Sequence, residues 1–141
     1  MQRLKEILNR DDVRGVVRSL TGELIEFHNP GVKDLFNLVA TRQQVLEGAY
    51  VADRVIGRGA ALLLVLGKVK CVFAQLISSQ AVQVLQDAKI IVEYDKMVPY
   101  IINRDGTDIC PVEKLTTAIS QPDLAFHKIK EFLTTNNIIQ K

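Results

Sequence analysis

The sequence predicts an α/β fold in which a mixed sheet lies between helices, a three-layer α-β-α arrangement. Three observations predict it. A short hairpin is centred on Thr21-Gly22, and helical and extended segments alternate after it. The extended segment Cys71–Ile77 is a mainly apolar run, as a strand covered on both faces requires. No repeat, low-complexity tract or linker interrupts the 141 residues, so one domain over 1–141 is expected.

Residues 3–9 read as a short amphipathic helix. Strands near Gly15–Ser19 and over Glu23–His28 form the hairpin, with Leu24 and Glu26 opposing Ile25 and Phe27 across the pleat, and Asn29-Pro30-Gly31 ends it. From Val32 to Glu47, Leu35, Leu38, Val39, Val45 and Leu46 recur at helical spacing, and Gly48 stops the helix. Tyr50-Val51 leads into a helix expected from Asp53 to Leu66. Its second half, Ala60–Leu66, is apolar all round and predicts a central, enclosed helix closed by Gly67. Gly57 and Gly59 cost helix propensity, a cost explained by close approach to a neighbouring element or a ligand.

Cys71–Ile77 reads as a buried strand, and Ser78-Ser79 as the N-cap of a helix near Gln80–Asp87 with Ala81, Val82, Val84 and Leu85 inward. Ile90–Tyr94 is the next strand. Met97–Ile102 is a further extended piece that Pro99 places at an edge or bend. Pro111 opens a helix to about Ile119. Pro122 opens the last, with Phe126, Ile129, Phe132 and Leu133 on one face.

Eighteen basic and 16 acidic residues give a net charge of +2, which argues against nucleic acid as a partner. The longest apolar run, Ala60–Leu66, is far below the ~20 residues that span a bilayer, so no membrane partner is expected. Met1–Leu8 alternates charged with apolar residues and lacks the apolar core of a secretory signal. Cys71 and Cys110 lie far apart and read as free thiols, Cys71 in the core, which fits a cytoplasmic setting. His28 and His127 have no metal-ligand spacing.

The chemistry concentrates in two places. Asn103, Arg104, Asp105, Gly106 and Thr107 pack more donors and acceptors into five residues than an Asp-Gly turn needs, and point to a ligand-contacting loop. Behind them Cys110 falls at a helix N-cap with Pro111 at the first helical position, where the thiol faces the positive end of the helix dipole. Glu113, three residues on, is a capping acid or a pocket residue. Asp53 reads either as a first-turn acid favoured by the dipole or as a pocket carboxylate. Arg54 and Arg58, one helical spacing apart beside Gly57, read as a solvated face or as a phosphate clasp.

Tyr50–Gly57 with the Ala/Leu run behind it, Met97-Val98-Pro99-Tyr100-Ile101, and Asn103–Thr107 with Cys110-Pro111 resemble a small uncharacterised bacterial family assigned to the cytidine-deaminase-like fold. Zinc deaminases of that fold carry H-x-E at the start of the buried helix and P-C-x-x-C at the start of the next. Aligned by eye, the first place reads Val51-Ala52-Asp53 and the second Ser78-Ser79-Gln80-Ala81-Val82, so the ligand set for zinc is missing. The resemblance therefore implies a zinc-free deaminase-like domain without metal or cofactor. It would bind a small polar ligand, such as a nucleotide or nucleoside derivative, between Asp53 and the 103–113 loop. Its ligand residues would be Asp53, Arg54, Gly57, Asn103, Arg104, Asp105, Gly106, Thr107, Cys110 and Glu113. Two alternatives stand beside it: a thiol-dependent enzyme using Cys110, and a non-catalytic interaction or scaffold protein; the candidate catalytic residues are Asp53 and Cys110. The resemblance also implies self-association into a homo-oligomer.

Overall fold

A computed structural model describes residues 1–103 and 105–139. In chain order the elements are α1 (Gln2–Leu8), β1 (Gly15–Arg18), β2 (Leu24–Phe27), α2 (Lys33–Arg42) with a 3-10 turn over Gln43–Leu46, β3 (Tyr50–Ile56), α3 (Arg58–Gly67), β4 (Cys71–Ser78), α4 (Ser79–Asp87), β5 (Ile91–Val98), α5 (Pro111–Thr116) and α6 (Pro122–Thr135).

The strands form one mixed sheet in the order β2-β1-β3-β4-β5. β1 runs antiparallel to both β2 and β3, while β3, β4 and β5 are parallel. The hairpin expected around Thr21-Gly22 is present: Ser19 N–H donates to the Glu23 carbonyl (2.9 Å), and Gly22 takes the positive φ of +95° that the turn requires.

Alternation along the strands sorts side chains into two layers. On one face Val16, Ala52 and Phe73 pack against Leu4 and Leu8 of α1. On the other, Val17, Val51, Val72 and Ala74 meet the larger cluster that includes Leu35 and Leu38 of α2, Leu63 and Leu64 of α3, Leu85 of α4 and Ile129 of α6. The three-layer expectation holds. The enclosed helix predicted from Ala60–Leu66 is α3, buried from Gly59 through Leu64. Gly67 is needed there, because a Cβ would sit 2.8 Å from Leu46 Cβ.

Two boundaries differ from the sequence reading. Asp53 does not start a helix. It lies inside β3, opposite Gly15 of β1 and Ala74 of β4, and the helix begins only after Gly57, the extended N-cap of α3. Pairing on both sides of β3 decides this: seven residues in the middle of a sheet satisfy their backbone groups better as a strand than as a first helical turn. The pieces expected at Ile90–Tyr94 and Met97–Ile102 are also one strand as far as Val98, because the register with β4 continues to Ser78↔Val98. Pro99, which has no N–H, coincides with its end.

β5 is an edge strand with Ile91, Tyr94 and Met97 exposed. Among the described residues no helix is long and apolar enough to cross a membrane.

Candidate functional site

A cleft of about 330 Å³ opens at the carboxyl end of β3. Asp53, Val55 and Gly57 line it from β3 and the turn after it, Gly59 and Ala60 from α3, and Pro30–Val32 with Leu35 from the approach to α2. Ile101–Asn103 and Cys110–Glu113 complete it, with Arg14 and Arg54. Asp53 and Cys110, far apart in sequence, thus line one cavity. The walls are dominated by Val, Ile, Leu, Pro and Ala side chains, with few polar groups, as small-molecule sites commonly are.

Asp53 is the carboxyl of this cleft that lacks a network of donors. Its Oδ1 accepts from the N–H of Arg54 at 2.7 Å, and among the described residues no side chain donates to it. Desolvation pushes its pKa from 3.8 up to about 7. The backbone N–H groups of Arg54 and Val55 and the charge of Arg14 oppose that rise, and the charge of Asp34 adds to it. Gly15 faces it across the β1–β3 pair, where a Cβ would come within 3.3 Å of the Asp53 carboxyl carbon. The β2–α2 turn beside the cleft is fixed by Asp34, which accepts from the backbone N–H of His28 and of Asn29, both at 2.8 Å.

Glu113 is the opposite case. It is 1% exposed, yet its carboxyl accepts from Arg58 N–H (2.8 Å), from the Ser78 hydroxyl (2.9 Å) and from Ile101 N–H. Three chain segments, the start of α3, the end of β4 and the strand-exit segment at 101, are therefore tied to α5 through one side chain. The expectation that Glu113 caps its own helix is corrected: the N–H of Cys110, which a capping box would use, donates to the Ile101 carbonyl at 2.8 Å. Ser78 serves twice, because its oxygen also accepts from Ala81 N–H at 3.2 Å and caps α4 as predicted.

The arginines are corrected as well. Arg54 lies in β3 and Arg58 in α3, so they share no helical face. The Arg54 guanidinium donates to the carbonyls of Val13 (2.8 Å), Leu8 (3.0 Å) and Arg10 (2.7 Å), stapling the end of α1 to the sheet. The Arg58 guanidinium donates to Thr116 O (2.8 Å) and Ile119 O (2.6 Å), satisfying carbonyls at the end of α5. Both are half-buried structural donors, and neither has the free fork of a phosphate clasp.

The polar loop is largely spent on itself. Asn103 Oδ1 accepts from Thr107 N–H (3.1 Å) and Asp108 N–H (3.4 Å), and Asn103 N–H donates to Asp108 O at 2.8 Å. Gly106 takes φ +72° at the tip, and Lys114 holds Asp108. Asn103 reaches the cleft, whereas Asp105, Gly106 and Thr107 are exposed and do not line it. Arg104 lies outside the described residues.

Cys110 is the N-cap of α5, as expected, is half-buried, and its side chain makes no cap hydrogen bond. Cys71 is buried at the start of β4, and burial pushes its thiol pKa up. Gly57 and Gly59 serve close approach between elements. A Cβ on Gly59 would lie 2.5 Å from Val112 Cγ1, and one on Gly57 3.2 Å from Ile101 Cγ1 and 3.3 Å from Glu113 Oε1.

The place assigned to H-x-E moves too. Val51–Asp53 are strand residues, and the start of the buried helix reads Gly57-Arg58-Gly59, none of them a carboxylate, thiol or imidazole. Ser78–Val82 do stand at the start of α4, again without a cysteine. Among the described residues, Asp12, Glu26 and His28 form one group with ligand-type atoms within 4.8 Å of one another. It is a surface ion cluster in which Arg10 pairs with both acids at 3.0 Å.

The sequence profile described as TM1506, domain of unknown function (DUF1893), matches residues 3–133. The chain belongs to the DUF1893 family. A crystal structure of a DUF1893 family protein, TM1506 from Thermotoga maritima, matches this fold with a TM-score of 0.83 at 26% identity, covering 92% of this chain and 87% of that one. No curated protein matches. For this DUF1893 chain, sequence reasoning missed Arg14, the Pro30–Leu35 wall and the contact between Ser78 and Glu113. The first two carry no motif, and Ser78 was visible only as a cap.

Proposed function

We propose that the cleft between Asp53 and the 101–113 segment binds a small polar molecule, whose ring packs on the apolar walls and which presents a polar group to Asp53. The observation that carries this reading is Asp53 itself. It is a half-buried carboxyl without a side-chain donor among the described residues, set inside β3 in a largely apolar cavity of about 330 Å³. An acid held this way destabilises a fold unless something meets it, and perturbed carboxyls in clefts concentrate at functional sites. The deaminase resemblance suggests a nucleoside or nucleotide derivative as the class. Asp53 orients the ligand's donor edge, and Asn103 and Cys110 border it. The reading uses no zinc, because neither helix start offers ligand side chains.

The test is calorimetric titration and thermal shift with a panel of bases, nucleosides and nucleotides against wild type and Asp53→Asn. Binding by wild type that Asp53→Asn loses while remaining folded supports the reading. Equal binding by both proteins moves the site elsewhere.

A further inference from the structure

The N-terminus of a helix at the carboxyl end of parallel strands is where such sheets ordinarily take an anion, because unpaired N–H groups and the helix dipole converge there. In this chain that helix is α3, ten residues long, and Gly57, Gly59 and Ala60 at its start line the cleft. The first N–H of that helix is already taken. Glu113 Oε1 accepts the N–H of Arg58, the first residue of α3, at 2.8 Å, and the same carboxyl takes the Ser78 hydroxyl and Ile101 N–H. The two guanidiniums that sequence spacing offered as phosphate ligands donate instead to carbonyls of Leu8, Arg10, Val13, Thr116 and Ile119. The charged side chains among the lining residues are two carboxyls, Asp53 and Glu113, and two guanidiniums, that of Arg54, which is spent on carbonyls, and that of exposed Arg14.

From this we infer that the Glu113 carboxyl is the protein's own occupant of the α3 site, and that the cleft selects an uncharged or cationic ring with hydrogen-bond donors for Asp53, excluding phosphorylated and carboxylated ligands. The inference rests on the cleft being the ligand site and narrows its class from nucleotide or nucleoside to the unphosphorylated member. Selection of this kind is built from what is withheld as much as from attraction: a phosphate entering the cleft meets Glu113 at the α3 start, finds the Arg58 N–H and the Arg54 guanidinium already spent, and is left with exposed Arg14 as its one uncommitted cation among the described lining residues.

The experiment compares matched probes on the wild-type protein: adenosine, guanosine and cytidine against their 5′-monophosphates, and benzamidine against benzoate. The expected result is that each charged-down partner binds at least about tenfold more weakly than its neutral or cationic counterpart. A second arm uses Glu113→Ala and Glu113→Gln. Glu113→Ala melts below wild type, and sodium formate, compared with chloride at equal ionic strength, restores part of the loss while leaving wild type unmoved. If Glu113→Ala does not fold, Glu113→Gln carries this arm as a lowered melting temperature, since an amide supplies one acceptor where the carboxyl supplies two. Tighter binding of the monophosphates, or stabilisation of wild type by inorganic phosphate beyond chloride, overturns the inference and leaves the cleft reading standing. An absence of binding by every probe removes the cleft reading itself, and the ligand class with it.

Discussion

Replacing Asp53 by asparagine removes a titrating group and changes little else in shape, so its consequence can be worked from the structure. The carboxyl titrates near 3.8 in an unfolded chain and at about 7 in the folded one, mainly because folding desolvates it. Between those values the folded state holds a proton that the unfolded state has lost, so stability falls as pH rises from about 4 to about 7 and then levels off. A shift from 3.8 to about 7 corresponds to about 4 kcal/mol on the alkaline side. Relaxation around the cleft and its solvent-facing mouth bring the expected effect to about 2–4 kcal/mol, a large part of the ~5–15 kcal/mol that stabilises an ordinary domain. Asp53→Asn should therefore be the more stable protein at pH 8 and nearly equal to wild type at pH 4. The pulls on Asp12, Glu23 and Asp108, whose pKa values are lowered by Arg10, Arg42 and Lys114, act on both proteins alike and cancel in the difference. Urea unfolding of both proteins from pH 4 to pH 9 measures it, with the Asp53 carboxyl carbon followed by NMR for its midpoint. Parallel stability profiles, or an asparagine variant weaker than wild type at pH 8, would refute the reasoning.

Gly59→Ala places a methyl 2.5 Å from Val112 Cγ1, between α3 and α5, and should cost about 1–3 kcal/mol of overpacking in urea unfolding. Arg54→Met removes the donors that hold the carbonyls of Leu8, Arg10 and Val13. A loss of about 2–4 kcal/mol is expected, with amide exchange accelerated in Gln2–Leu8 ahead of the sheet; exchange rising evenly across the chain would count against the staple. Iodoacetamide should modify half-buried Cys110 at least about tenfold faster than buried Cys71. A cleft ligand should slow the first reaction and leave the second unchanged. Equal rates at the two thiols would place Cys110 outside the accessible cleft.

The sequence by itself determined the layers and the order of the elements. Ala60–Leu66 is apolar on every side and can only be enclosed, Thr21-Gly22 sets a hairpin, and the run from Cys71 fits a strand covered by helices, whereas the strand from Ile90 is an exposed edge whose position only the sheet order decided. Cys110-Pro111 fixed the start of α5, because proline at the first helical position and an extended residue before it are local properties. Such features are written in neighbouring residues and survive any packing. The site was only half legible. Asp53 and Cys110 line one cleft, but Asp53 stands on a strand, a fact decided by its partners Gly15 and Ala74 and by nothing nearby in sequence. The roles of Arg54, Arg58 and Glu113 were decided by tertiary structure for the same reason. A guanidinium or a carboxyl becomes a ligand group or a structural staple according to which carbonyl or N–H folding brings within hydrogen-bond reach. For Glu113 those partners are Arg58, Ser78 and Ile101, the first of them 55 residues away along the chain.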